Sequence, residues 1–201
     1  MKEEFYTDKR WQNWLSKVKD SKFTLNDSDE KNAGAVFVYI MDDVVLACLK
    51  VIARCERKII PPDDALSELD NIRNIVFKEH DSLGEDADLM IDSLKTSLAA
   101  VFASCQCYIS GDFDRESDLK QMVKKAVEAE NQENIDEAFS ILSHVGARVI
   151  GGESLPDEAI ADLPYSMSVE LLDGIDAISA AMIGDDSYKE DDGTEESGEE
   201  L

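Results

Sequence analysis

Residues and motifs that would mark a familiar function are scarce in this sequence. It contains two histidines, four cysteines and four prolines. None of the cysteines forms a Cys-x-x-Cys pair, the usual beginning of a structural zinc site. There is no glycine-rich phosphate-binding loop, no Gly-x-Ser-x-Gly motif and no His-Glu-x-x-His motif. The sequence therefore predicts no catalytic residue, no cofactor and no metal ligand.

Long hydrophobic runs are also missing. The longest apolar stretch, Ala33 to Met41, ends at Asp42 and Asp43, far short of the roughly 20 residues that a membrane-spanning helix needs. The first residues, Met1-Lys2-Glu3-Glu4, do not resemble the start of a signal peptide. We therefore expect a cytoplasmic protein without a membrane association.

Positively charged residues are few compared with negatively charged ones. Lysine and arginine number 20 against 45 aspartates and glutamates, for a net charge of −25. Such a surface repels phosphate backbones, so we expect no binding to nucleic acid. The acidity has three explanations that composition does not separate: solubility, adaptation to a salty cytoplasm, and a docking surface for a basic partner.

What the sequence does contain is apolar spacing typical of helices. Apolar residues recur three and four positions apart and almost nowhere alternate as in a half-buried strand. The predicted helices are Asp8–Lys19, Asp29–Arg57, Asp63–His80, Glu85–Ile109, Arg115–Asn131, Asn134–Ile150 and Ser166–Ile183, with a short alternative helix over Asp157–Asp162. The pattern predicts an all-α fold, a single-domain bundle of six or seven helices over residues 1–184.

The second predicted helix gives the best indication of the architecture. Its polar residues Asp43, Lys50, Arg54 and Arg57 share one narrow seam, while nearly all the other residues are apolar. A helix that is apolar over most of its circumference lies in the middle of a bundle or at a subunit interface. This pattern places the helix at the centre of the bundle and predicts a homodimer.

Residues 185–201 differ from the rest of the chain. They hold nine acidic residues against one lysine, for a net charge of −8, and their only large apolar side chains are Tyr188 and Leu201. Such a segment cannot bury enough surface to offset the entropy of ordering it. We therefore predict a disordered acidic C-terminal tail over these residues.

The first predicted helix carries candidate docking residues. Trp11 and Trp14 share its apolar face, and residues 1–22 have a net charge of +2 in an otherwise acidic chain. Tryptophan beside basic residues is typical of docking surfaces and interfacial helices. The alternative interpretation is that both tryptophans cover the core of the bundle.

Asp42 is the third candidate docking residue. It interrupts the second helix outside the polar seam, beside Val38, Val45 and Leu49 on the helical wheel. A buried carboxylate requires a partner or a shifted pKa, and such positions are candidates for function. The alternatives are an ordinary salt bridge or a position at the edge of the buried surface.

The cysteines favour no metal or disulfide within one helix. Cys105 and Cys107 point to opposite sides of the fourth predicted helix, and Cys48 and Cys55 lie about 10 Å apart along the second. Spacing within one helix does not exclude a contact between cysteines of different helices. We interpret all four as ordinary buried or half-buried thiols.

The order of several features resembles a known family. Phe5-Tyr6 is followed by Trp11-Gln12-Asn13-Trp14-Leu15, then by Tyr39-Ile40-Met41-Asp42-Asp43 and the Pro61-Pro62 break. This order is similar to an uncharacterised archaeal family of methanogens and their relatives, domain of unknown function 2150. The resemblance implies a cytoplasmic archaeal protein and favours salt adaptation as the cause of the acidity. It implies no activity and no site residues.

These observations together favour a non-catalytic protein-interaction or regulatory module with an unknown protein partner. The rival hypothesis is a metal-dependent enzyme or metal-binding protein assembled from carboxylates of separate helices, with Asp42 as its candidate centre. A third hypothesis is peripheral membrane association through the helix of Trp11 and Trp14.

Overall fold

The computed structural model describes residues 4–25, 34–155, 160 and 163–184, and within these ranges it contains seven long helices and no strand. The helices are α1 Asp8–Ser21, α2 Ala35–Glu56, α3 Pro62–Val76, α4 Glu85–Ser110, α5 Leu119–Asn131, α6 Ile135–Ile150 and α7 Met167–Gly184. The predicted all-α helical bundle is confirmed.

The helix at the centre of the bundle is α4. It packs most extensively against α6 and α7 and also contacts α2 and α3, because apolar residues surround much of its circumference and are buried there: Ala87, Ile91, Leu94, Leu98, Ala100, Val101, Phe102 and Cys105. The prediction that the second helix is central was therefore only partly correct. α2 is heavily buried along its length but lies to one side of α4.

Two glycines allow helices to approach α4 very closely. A Cβ atom on Gly174 of α7 would lie 2.1 Å from the carbonyl oxygen of Ser97, and one on Gly146 of α6 would lie 1.9 Å from Ser104 Oγ. Neither distance is compatible with a side chain, so glycine at these two positions sets how near α6 and α7 lie to α4.

The start of α7 is stabilised by a carboxylate from another helix. Glu130, near the end of α5, accepts hydrogen bonds from the backbone N–H groups of Met167 at 2.8 Å and Ser168 at 3.0 Å. Free N–H groups at a helix start require such acceptors, and a negative charge is favoured at the positive end of the helix dipole. These two hydrogen bonds hold the start of α7 against the end of α5.

α1 lies against α2 and α3 at the edge of the bundle. Thr7 is its N-cap and accepts a hydrogen bond from the Arg10 N–H at 3.0 Å. Trp11, Leu15 and Val18 recur at helical spacing and are buried, together with Phe5 and Tyr6 just before the helix. The apolar stripe of α1 therefore belongs to the main core.

Two predicted boundaries were wrong. α3 ends at Val76 instead of His80; Phe77 is its C-cap, with its N–H donating to the Arg73 carbonyl at 2.9 Å, and its ring lies edge-on to that of Phe102, with ring centroids 6.2 Å apart. α5 begins at Leu119 instead of Arg115, because the Asp114 carboxylate accepts from the N–H groups of Glu116 and Ser117. Such a turn competes with helix formation.

Three predictions concern residues beyond those that the structure describes. The predicted start of the second helix at Asp29 falls among residues 26–33, and the disordered tail is assigned to residues 185–201. The short alternative helix over Asp157–Asp162 falls there too, apart from Ile160, which is helical. The division at residue 184 and the homodimer remain predictions.

Candidate functional site

A single carboxylate joins α1 to α2. Asp43 Oδ2 accepts hydrogen bonds from Tyr6 Oη at 3.1 Å, Arg10 Nε at 3.0 Å and Trp14 Nε1 at 2.7 Å. Arg10 also forms an ion pair with Asp43 Oδ1 through its Nη2 atom. We call these four residues the Asp43 node. Its geometry fixes the N-terminal segment and the indole of Trp14 relative to α2.

Burial and charge act together at the Asp43 node. The Asp43 side chain is 13% exposed and that of Arg10 is 49% exposed. Burial, reinforced by the Asp43 carboxylate, raises the pKa of Tyr6 far above its ordinary value, so its hydroxyl remains a donor. The hydrogen bonds to Asp43 raise the pKa of Arg10. The node is therefore a charge-compensated contact in which the Tyr6 hydroxyl and the Arg10 guanidinium both keep their protons.

Beside this node lies a groove between α1 and the beginning of α2. Its volume is about 410 Å³, and Trp14, Lys17, Ala35, Val36 and Tyr39 line it. The Lys17 ammonium lies 4.1 Å from the centroid of the Trp14 ring, within the range of a cation–π interaction. We call this feature the α1–α2 groove; its walls are mainly apolar and aromatic.

The groove continues onto an exposed face of α2. Val38 and Tyr39 are both 59% exposed, and Asp42, four and three residues further on, lies on the same side of the helix and is also exposed. We call Val38, Tyr39 and Asp42 the outer face of α2. Large apolar side chains that adjoin one another on a surface are characteristic of interaction sites.

The three candidate docking residues have different environments. Trp11 is completely buried, which supports the alternative that it covers the core, whereas Trp14 is half-buried and lines the groove. Asp42 was predicted to be buried or at an edge, and it is exposed. The carboxylate with several partners is its neighbour Asp43, which the sequence analysis had assigned to the polar seam. A docking role for the three remains a prediction.

A sequence signal for Asp43 existed. Tyr6, Arg10 and Trp14 recur every four residues, and each carries a hydrogen-bond donor at the border of an apolar stripe. A row of donors at this spacing points to an acceptor on the helix that packs against it. The signal does not distinguish Asp42 from Asp43, because that choice depends on which side of α2 faces α1.

The cysteines and histidines occupy ordinary positions. All four cysteines are free. Cys48 of α2 contacts Cys105 of α4. The pKa of Cys48 is raised mainly by burial and, to a smaller extent, by the hydrogen bond between the two thiols. His80 lies beyond the end of α3, so its predicted place in a last helical turn was wrong. His144 is half-buried, and its Nδ1 accepts a hydrogen bond from the Asp114 backbone N–H at 3.3 Å.

A larger and more polar cleft lies on the other side of α1. Its volume is about 760 Å³, and it separates residues 4–8 from α3. An ion pair between Lys78 Nζ and Asp8 Oδ1 at 3.1 Å borders it, and Asn71 and Asn74 line its α3 wall. The cleft is open to solvent and its polar groups are mostly exposed, so it lacks the enclosed, convergent arrangement of a small-molecule site.

Two features are absent from the residues that the structure describes, a cluster of metal ligands and a membrane-spanning helix. No group of three or more histidine, cysteine, aspartate or glutamate side chains in this part of the chain is arranged to hold a metal ion. No helix in the same ranges is long and apolar enough to cross a bilayer. The metal-protein hypothesis remains a prediction without a candidate site among these residues.

The fold and the groove define a class of protein: an α-helical bundle with an apolar surface groove formed by its first two helices. The chain belongs to the family described as uncharacterised proteins conserved in archaea, domain of unknown function 2150, whose family model matches residues 4–191. The resemblance noted from the sequence is thus confirmed. No curated protein and no solved structure matches the chain.

Proposed function

We propose that this protein is a non-catalytic docking or regulatory module of the archaeal cytoplasm, and that its partner protein binds at the α1–α2 groove and the outer face of α2. One observation carries the proposal: Val38 and Tyr39 are 59% exposed directly beside the groove that Trp14 lines. Burying two such side chains on a partner contributes about 25 cal/mol per Å² of apolar surface removed from water.

The rigidity of the groove supports this role. Trp14 is held by its hydrogen bond to Asp43 and by the cation–π contact with Lys17, and Val36 packs against the core. A preformed surface loses little conformational entropy when a partner binds. Aromatic side chains in such positions are common anchors of protein interfaces.

The test compares two double variants by affinity purification from native cells, followed by reconstitution with purified proteins. Val38→Ser with Tyr39→Ser removes the apolar surface beside the groove. Leu89→Ser with Ile135→Ser is the matched control, because these side chains are similarly exposed, at 56% and 43%, elsewhere on the protein. We expect an identified partner to bind the wild type and the control and to lose at least about tenfold in affinity, or 1.4 kcal/mol, with the groove variant.

Equal binding by both double variants would contradict the proposed docking face. Circular dichroism of both variants verifies that the helices are retained. Because all four side chains are exposed, each variant is expected to fold with a stability within about 1 kcal/mol of the wild type.

A further inference from the structure

The outer face of α2 contains a carboxylate that the rest of the described chain does not neutralise. Asp42 is exposed and makes no ion pair or side-chain hydrogen bond with another described residue. Its neighbour Asp43 has the opposite character, since Arg10 neutralises it. Asp42 follows Val38 by four residues and Tyr39 by three, so one carboxylate borders two exposed apolar side chains.

The net charge of the chain and the exposed Asp42 carboxylate select the kind of partner. A second copy of this chain carries the same net charge of −25, and two such molecules repel each other over the whole approach at low ionic strength. A cationic segment is instead attracted, and a lysine or arginine on it has Asp42 available as a counter-ion. Lys17, the charged residue among those that line the groove, lies on α1 over the Trp14 ring, whereas Asp42 lies on α2.

The shape of the surface selects the kind of segment. The groove runs between two packed helices, with apolar side chains from α1 and α2 on its walls. A helix that places apolar residues at positions i, i+3, i+4 and i+7 fits such a groove. We infer that the partner segment is a basic amphipathic helix, with its apolar stripe on Trp14, Val36 and Tyr39 and a cation beside Asp42. This inference rests on the proposed docking face and names its occupant.

The experiment uses the full chain and three synthetic helical peptides that lack tryptophan. All three have the same leucine stripe, and their polar faces carry lysine, glutamine or glutamate. Binding is measured by titration calorimetry and by the tryptophan emission of the protein, of whose two tryptophans Trp14 lines the groove and Trp11 is buried in the core. We expect the lysine peptide to bind at least about tenfold more tightly than the glutamate peptide, and the difference to shrink as salt is raised.

Two charge-reversal variants distinguish attraction of the peptide to Asp42 itself from attraction to the net negative charge of the protein. Asp42→Lys and Asp136→Lys change the net charge equally, and both residues are exposed, on α2 and at the start of α6 respectively. We expect Asp42→Lys to weaken the lysine peptide by about tenfold and Asp136→Lys by about twofold or less.

The possible outcomes distinguish this inference from the proposed function. Equal affinity for all three peptides, lost only in the Val38→Ser and Tyr39→Ser variant, would overturn the basic partner and leave the docking face intact. A dimer in sedimentation that Tyr39→Ser dissociates, without peptide binding, would identify a second copy as the occupant and also overturn it. A peptide affinity that is unchanged in the Val38→Ser and Tyr39→Ser variant would overturn the docking face itself.

Discussion

The contact between α4 and α7 and the contact between α1 and α2 hold the bundle together in different ways. At the first, Gly174 lies against the backbone of Ser97, and there is no room for even one additional carbon atom. At the second, a half-exposed arginine, a tyrosine and a tryptophan share one carboxylate, Asp43. The first contact is specified by size and the second by charge and hydrogen bonding, so they should respond to different perturbations.

The largest effect is expected from Gly174→Ala. An alanine is favoured over glycine within a helix by about 1 kcal/mol, but its Cβ would lie 2.1 Å from a backbone oxygen that has no free rotation to move aside. We therefore expect a net loss of about 3 kcal/mol in the free energy of unfolding, measured by urea denaturation.

The control for this change is Ala180→Gly, at an exposed position of the same helix. It should cost about 1 kcal/mol through helix propensity alone. A Gly174→Ala variant as stable as the wild type, or more stable, would mean that α4 and α7 separate easily and that size does not specify their contact.

A smaller effect is expected from Asp43→Ala at the charged contact. The change removes the acceptor of the buried Tyr6, the half-buried Trp14 and the exposed Arg10. We expect a loss of about 2 kcal/mol in urea denaturation, because the donors of Tyr6 and Trp14 lose their partner away from bulk water. Asp42→Ala, next along the chain, should change stability by no more than about 0.5 kcal/mol. Equal costs for the two substitutions would refute the Asp43 node.

The smallest effect is a pH dependence of stability that arises from Glu130, the α5 carboxylate that caps the start of α7. Burial opposes ionisation of Glu130, but the hydrogen bonds from Ser168 and from the Met167 N–H outweigh it and lower its pKa. A lowered folded pKa adds stability above the unfolded value, about 4.3, that is lost as pH falls through the folded value. Glu130→Gln should therefore be less stable than the wild type at pH 7 and nearly equal to it near pH 3.

Thermal denaturation of both proteins at each pH measures this difference. Comparing the two curves removes the general effect of protonating the other carboxylates, which both proteins share. A difference that stays constant from pH 7 to pH 3 would show that the charge of Glu130 does not stabilise α7.

The fold was largely predictable from the sequence because burial follows a regular helical period. The helix predicted from apolar spacing over Glu85–Ile109 is α4, Glu85–Ser110, and its apolar stripe is buried. The two interior glycines, Gly146 and Gly174, were overlooked, although a glycine inside a helical pattern often marks a close approach of backbones. Their partners Ser97 and Ser104 depend on tertiary packing, which single-helix spacing does not encode.

The candidate site was less predictable. Asp42 and Asp43 are adjacent acidic residues on one helix, and their different environments arise from the side on which α1 packs. The start of α5 was also predicted wrongly, because the turn at Asp114 replaces the first helical turn. That case had a local signal, since Asp118 lies three residues before Gln121 and caps its N–H at 3.0 Å.

The Glu130 contact also has a consequence for the order in which the chain assembles. During synthesis α7 emerges after α1 to α6, so its carboxylate acceptor and the surfaces of α4 and α6 are made before it. Until α7 arrives, the apolar sides of α4 and α6 that it covers remain open to water or to a chaperone. A ribosome-bound chain halted before residue 167 should therefore be protease-sensitive, and release of the last helix should close the core in a single late step.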